Sequence, residues 1–160
     1  MIQKNGLVLF WDGVFSQWYK HNMEIEGILY NTCEQYMMAE KARLFDDLET
    51  LELILESKNP KDQKRLGRLV KNFDLTKWDD ECDGIVYRGN FAKFSDPVLK
   101  EYILSFPQSS IFVEASPFDK IWGIGLHETD PDAADPTKWK GLNKLGEALT
   151  NVRNHLRAQS

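Results

Sequence analysis

Two patterns of apolar positions alternate along this chain. The runs Leu7-Val8-Leu9-Phe10 and Ile111-Phe112-Val113-Glu114-Ala115 are nearly continuous and read as short buried strands. Residues 23–30 read as another strand, with a turn around Glu26-Gly27. Elsewhere the spacing is helical. Thr32 stands three residues before Gln35, a capping-box signature that opens a helix running to about Phe45. Leu48, Leu51, Ile54 and Leu55 mark one face of a second helix over 47–56. Asn59-Pro60 supplies an N-cap and a first position for a third, over 60–71. A long helix follows over 75–93, its stripe carried by Trp78, Cys82, Ile85 and Val86. Asp96-Pro97 opens another, to about Ser105, and residues 116–141 read mostly as loop. Leu142, Leu145, Leu149, Val152 and Leu156 then give a helical stripe to the end. Helices dominate and a small sheet is interleaved, so the fold class is α+β, one mainly helical domain over 1–160.

The 160 residues are 42% hydrophobic and 28% charged, enough to bury a core without disulfides or a metal. A formal charge of −5 speaks against a general grip on nucleic acid, though not against a local basic pocket. Cys33 and Cys82 fall in helical segments, outside any CxxC or zinc spacing, and read as reduced buried thiols. Neither a metal nor a cofactor is expected. No apolar run approaches the ~20 residues of a membrane span, and the N-terminus lacks the apolar core of a signal peptide. The expected location is the cytoplasm, with no membrane partner.

Three segments carry candidate chemistry. In the helix after Thr32, Glu34, Met38 and Lys41 share one face. A carboxylate and an ammonium on an apolar stripe must be partly buried and paired, line a cleft, or sit where the stripe reaches the surface. They lie about 10 Å apart along the axis, too far for a direct ion pair, so each needs another partner. The second segment runs from Val113 to Gly125: a strand ending in Glu114, then a turn with Asp119, Trp122, Gly123 and Gly125. Its glycines allow close approach of backbone to a ligand, or serve the turn alone while Asp119 caps it and Trp122 packs. The third is the start of the last helix at Gly141 and Asn143, where free N–H groups could receive phosphate or where Asn143 is simply an N-cap. Arg68 and Trp78 add a cation and an indole, each with a plain alternative as a solvated charge or core filler.

The order of these blocks resembles the YbiA-like, or NADAR, family. The matching strings are Phe15-Ser16-Gln17-Trp18, Glu34 to Ala42, Leu66-Gly67-Arg68, Trp78-Asp79, Val113 to Gly125, and Gly141 to Gly146 through Arg153. They span nearly the whole chain. The resemblance implies an α+β enzyme that hydrolyses N-glycosidic bonds. Its implied substrates are a phosphorylated ribosylaminopyrimidine of riboflavin synthesis or an ADP-ribose derivative, including ADP-ribosylated guanine in DNA. The implied catalytic residues are Glu34, Asp119 and Trp122. The implied substrate-binding residues are Lys41, Arg68, Trp78, Glu114, Gly123, Gly141 and Asn143, with Glu114 in reserve as acid or base. Gln17 departs from the family's asparagine after the first Phe-Ser, and an acidic stretch lies between Gly125 and Gly141. Glu34, Trp78, Asp119 and Trp122 are expected to share one cleft. The competing expectation is a module that binds ADP-ribose or a nucleotide without cleaving it.

Overall fold

The computed structural model describes residues 1–160. The chain forms two compact units, Met1–Ser16 with Phe94–Ser160, and Gln17–Lys93.

The first unit is built on a three-stranded sheet in the order β1-β2-β5. β1 (Ile2–Lys4) pairs antiparallel with β2 (Leu7–Phe10), Ile2 opposite Leu9. Hydrophobicity gave no hint of β1, which has one large apolar residue. Its signal is the turn: Asn5 and Gly6 take φ of 54° and 75°, the positive values of a two-residue hairpin that Asn-Gly favours. β2 runs parallel to β5 (Ile111–Glu114), with Phe10 opposite Glu114. As the central strand it is buried at all four positions, which explains its unbroken apolar run.

Phe15 gathers the rings of Phe10, Phe94, Tyr102, Phe106 and Phe112 at centroid distances of 4.8–5.7 Å. α6 (Lys144–Ala158) packs on β5 and on α5 (Pro97–Leu104). Leu145, Leu149, Val152 and Leu156 of its expected stripe are buried, but Leu142 lies before the helix and is exposed. Buried Arg153 donates to the carbonyls of Pro107 and Gln108 and lies 5.3 Å from the Phe112 ring, so this cation ties the loop before β5 to α6. The loop over 116–141 contains two short 3-10 turns, Pro131–Ala134 and Pro136–Lys138.

In the second unit, the expected strand over 23–30 is a hairpin of β3 (Met23–Ile25) and β4 (Ile28–Tyr30), turning at Glu26 and Gly27 with φ of 51° and 81°. Thr32 then caps α1 (Cys33–Leu44), its Oγ1 accepting from the Gln35 N–H at 2.9 Å. The Gln35 amide donates to the carbonyls of Ile54, Leu55 and Ser57 at the end of α2 (Leu48–Glu56) and just beyond it, tying α1 to that helix end. α3 (Pro60–Gly67) stops four residues short of the expected end. The reason is competition for a donor: the Lys71 N–H bonds the Asp47 carboxylate at 2.9 Å, outside any helical ladder. Leu48, expected on a buried face, is 69% exposed because it follows Asp47, whose carboxylate is held by Thr50 and Lys71. α4 (Leu75–Phe94) begins where the Asp74 carboxylate accepts from the Thr76 N–H, and it buries Cys82, Ile85 and Val86. No helix is long and apolar enough to cross a membrane.

Candidate active site

The candidate residues fall into two sets, one in each unit. In Gln17–Lys93 the set starts on α1. Every residue from Cys33 to Ala39 is buried, so Glu34 is inside because the whole first half of the helix is, not because of one apolar stripe. Glu34 is 4% exposed and its N–H donates to the Gln17 carbonyl at 3.0 Å. Two turns on, the Lys41 ammonium lies 4.7 Å from the centroid of the Phe73 ring and 5.6 Å from that of Trp78. Burial lowers the proton affinity of Lys41; the Glu34 carboxylate raises it, and the Arg68 guanidinium lowers it further. The two ring faces favour the charged form. Lys41 is thus within electrostatic reach of Glu34, Arg68 and the Trp78 ring. Arg68 caps the end of α3 and is exposed, a cation facing water.

The Gln17 side chain extends this set inward. Its Oε1 accepts from Asn90 Nδ2 at 2.8 Å, and Asn90 Nδ2 also donates to the Val86 carbonyl. Cys33 Sγ donates to Asn90 Oδ1 at 3.7 Å, and burial pushes its thiol up to about 11, so it keeps its proton. These bonds fix the orientation of both amides and leave Gln17 Nε2 buried without a hydrogen-bond partner. Lys93, on the same helix as Asn90, is 1% exposed; desolvation lowers it to about 8 while the nearby Cys33 thiol acts the other way, and its Nζ lies 5.2 Å from the Tyr19 ring centroid.

In the other unit the set is built on backbone. Asp119 closes a turn: its Oδ1 accepts from the N–H groups of Ile121 and Trp122 at 2.9 and 2.8 Å, while Oδ2 takes no hydrogen bond. Ser116 Oγ accepts from the N–H groups of Phe118 and Asp119, anchoring the start of that turn. Half-buried Trp122 has the Lys144 ammonium 5.8 Å from its ring centroid. The Glu114 carbonyl accepts from the Ile124 N–H, and a Cβ at Gly123 would lie 3.0 Å from Glu114 Oε2, so the loop passes directly over that carboxyl.

The start of α6 differs from its expected role. Asn143 takes the left-handed conformation and its side chain caps nothing. Instead Oδ1 accepts from the Glu114 N–H and Nδ2 donates to the Phe112 carbonyl, both at 3.0 Å, clamping α6 to β5. The N–H groups of Asn143, Lys144 and Leu145 donate to the carbonyls of Gly123, Ile121 and Trp122. Those amides serve the fold and provide no phosphate seat. Gly141 is needed because the strands of the loop touch: a Cβ there would run into the Gly123 carbonyl oxygen and lie 2.7 Å from Lys120 Cα.

Sequence reasoning missed Phe73, Lys144 and Ser116. Phe73 had a signal, an aromatic five residues before Trp78 in a polar segment. Ser116 and Lys144 stood inside the matched strings, but only the fold shows what they touch. No group of three or more His, Cys, Asp or Glu residues is placed to hold a metal ion.

Residues 9–157 match the family model described as the NADAR domain. The chain belongs to the NADAR family. Among relatives of this NADAR protein, an N-glycosidase of Acanthamoeba polyphaga mimivirus is 42% identical over 88% of the chain and 85% of its own length. A chloroplastic riboflavin biosynthesis protein PYRR of Zea mays is 30% identical; the match covers 91% of the NADAR chain but 24% of that longer protein. The fold matches the solution structure of Escherichia coli YbiA with a TM-score of 0.78 and 24% identity, over 99% of the chain and 89% of YbiA.

Proposed function

We propose that this NADAR protein hydrolyses the N-glycosidic bond of a phosphorylated ribosyl or ADP-ribosyl compound, with Glu34 supporting the cationic sugar. The chain is a hydrolase of N-glycosyl compounds; the substrate and the roles of residues are our reading. The observation that carries it is Glu34: a carboxylate 4% exposed, on the helix that also presents Lys41 to an indole and to Arg68. A carboxylate fixed inside this helix offers its negative charge to a developing positive charge on ribose.

In the reaction the C1′–N bond breaks and its electron pair leaves with the base, which takes up a proton. A water oxygen bonds to C1′ and gives up a proton. Glu34 stabilises the oxocarbenium-like state or accepts the water's proton. Asp119 Oδ2 is the second carboxylate oxygen proposed to hold water or ribose, with Glu114 in reserve. Trp78 and Trp122 offer faces to the base, and Lys41 and Arg68 receive phosphate. Gly123, Gly141 and Asn143 contribute by shaping the loop rather than through their own side chains. We consider two leaving groups: an aminopyrimidine, consistent with the riboflavin-related name of the maize relative, and the guanine of an ADP-ribosylated DNA.

A second role for Lys41 follows from its environment. A desolvated amine beside another cation is the setting in which lysine acts as a nucleophile. The neutral Nζ would then bond C1′ as the base departs and takes up the proton the nitrogen sheds; ring opening would give an imine that borohydride reduces and that water otherwise hydrolyses to release the sugar. Intact-protein mass spectrometry during turnover, with borohydride added, would show a sugar adduct on Lys41; its absence leaves Lys41 as a phosphate ligand.

The test of the function is chromatography with mass spectrometry of the protein incubated with a ribosylaminopyrimidine phosphate and with DNA bearing ADP-ribosylated guanine. Release of free aminopyrimidine from the first, or of ADP-ribose with unmodified DNA from the second, is expected. Tight binding of ADP-ribose without cleavage of either substrate would favour a binding module instead.

A further inference from the structure

The ends of the two parallel strands carry an aromatic group that the proposed reaction does not use. Trp11 follows β2 directly, and Phe118 stands four residues beyond the end of β5. Their ring centroids are 5.7 Å apart at an angle of 54°, and the His127 ring meets Trp11 at 5.5 Å and 88°. Phe118 is 83% exposed and Trp11 37%, so two large apolar faces stand in water at the carboxyl edge of a parallel pair.

The exposed phenyl ring is not on a free loop. The Phe118 N–H and the Asp119 N–H both donate to the hydroxyl of Ser116, itself 4% exposed, and the Asp119 carboxylate then accepts from the N–H groups of Ile121 and Trp122. The ring is therefore mounted on the turn that carries Asp119 and Trp122. His127 Nδ1 lies 3.2 Å from the Thr129 N–H and 2.8 Å from Thr129 Oγ1, contacts that hold the ring edge-on to Trp11. The patch thus offers flat aromatic faces on the turn that carries Asp119. Exposed Ile121 and Leu142 on the neighbouring turns continue the same apolar character.

We infer that Trp11 and Phe118 form a stacking platform for a second aromatic base, carried at the far end of a dinucleotide-type substrate such as ADP-ribose. This rests on the reading of the protein as a hydrolase of ribosyl compounds. Faces of this kind accept any nucleobase without hydrogen-bond readout. The occupant is the base of a small nucleotide rather than of a strand, because the chain carries a formal charge of −5 and Asp12 follows Trp11 directly, which a neutral base tolerates better than a run of phosphates.

The experiment is calorimetry on the full chain with ADP-ribose, with ribose 5-phosphate, which lacks a base, and with a single-stranded oligodeoxynucleotide. Phe118→Ala should weaken ADP-ribose about tenfold and leave ribose 5-phosphate unchanged, while Phe118→Tyr should keep wild-type affinity for both. Thermal melts report on folding, which a side chain this exposed should hardly affect. Equal losses for both ligands, or none for ADP-ribose, would overturn the platform while leaving the hydrolase reading intact. An oligonucleotide that binds more tightly than ADP-ribose and loses affinity in Phe118→Ala would overturn the small-nucleotide assignment. If neither ADP-ribose nor ribose 5-phosphate binds the wild type, the underlying reading fails and the platform with it.

Discussion

The two units hold their candidate residues in different ways. In Gln17–Lys93, Glu34 and Lys41 project from one helix, with Trp78 contributed by another and Arg68 by the end of a third. There the side chains carry the chemistry, and the backbone behind them is regular. In the other unit, Glu114, Asp119, Trp122, Gly123, Gly141 and Asn143 form a web in which main-chain groups do most of the binding. One Asp119 oxygen, both ends of the Asn143 amide and three N–H groups at the start of α6 are committed to backbone partners. A polar side chain in such a web is as much a fastener as a ligand. Each unit nevertheless places a lysine over an indole, Lys41 on Trp78 and Lys144 on Trp122. An aromatic wall beside a cation has therefore been built twice, once from helices and once from a loop.

The comparison predicts that substitutions in the loop web act on stability and substitutions in the helical set act on ligand affinity. The largest effect is expected at Gly141. Gly141→Ala drives a methyl into the Gly123 carbonyl and Lys120 backbone, and should cost about 3 kcal/mol in urea unfolding. An unchanged midpoint would mean that the loop yields freely. Arg68→Ala should leave unfolding nearly unchanged but weaken ADP-ribose by about 1.5–3 kcal/mol by calorimetry. If stability falls instead and affinity holds, Arg68 belongs with the fasteners.

A smaller effect lies in the pH dependence of stability. Lys93 is lowered to about 8 in the folded chain from an ordinary 10.5. Between those values the unfolded chain binds a proton that the folded chain does not, so stability rises with pH. Cys33 acts the other way, its thiol lifted to about 11 from 9.0, so its contribution falls above pH 9. The stability curve should gain about 1 kcal/mol between pH 8 and 9 and then flatten. Lys93→Met should remove that gain, since only the amine produces it; a gain of the same size in the variant would assign it to other groups.

How much of this was legible in the sequence varied with the physics involved. The buried strands, the Thr32 cap and the stripes of α4 and α6 were readable because burial and capping leave periodic or local signatures. β1 was missed because its signal was the Asn5-Gly6 turn, not its hydrophobicity. The early end of α3 could not be read, because the carboxylate that diverts the Lys71 N–H lies 24 residues away in sequence. In the site, the identity of Glu34, Lys41 and Trp78 was visible as charge and aromaticity on a helical repeat. The role of Asn143 was not, since the same left-handed residue at a helix start could cap, bind phosphate or clamp a strand. Only its partners, Glu114 and Phe112, decide among these.

The central claim is that Glu34 acts on the transition state. Glu34→Gln keeps the shape of the side chain and removes its charge. Turnover of an N-glycosidic substrate and calorimetric affinity for ADP-ribose, measured on the same preparations, separate the two roles. Affinity should stay within a few-fold while turnover falls by about 10² or more, since the lost interaction is made mainly with the developing cation. Wild-type turnover in Glu34→Gln would contradict it and move the search for the catalytic carboxylate to Asp119 and Glu114.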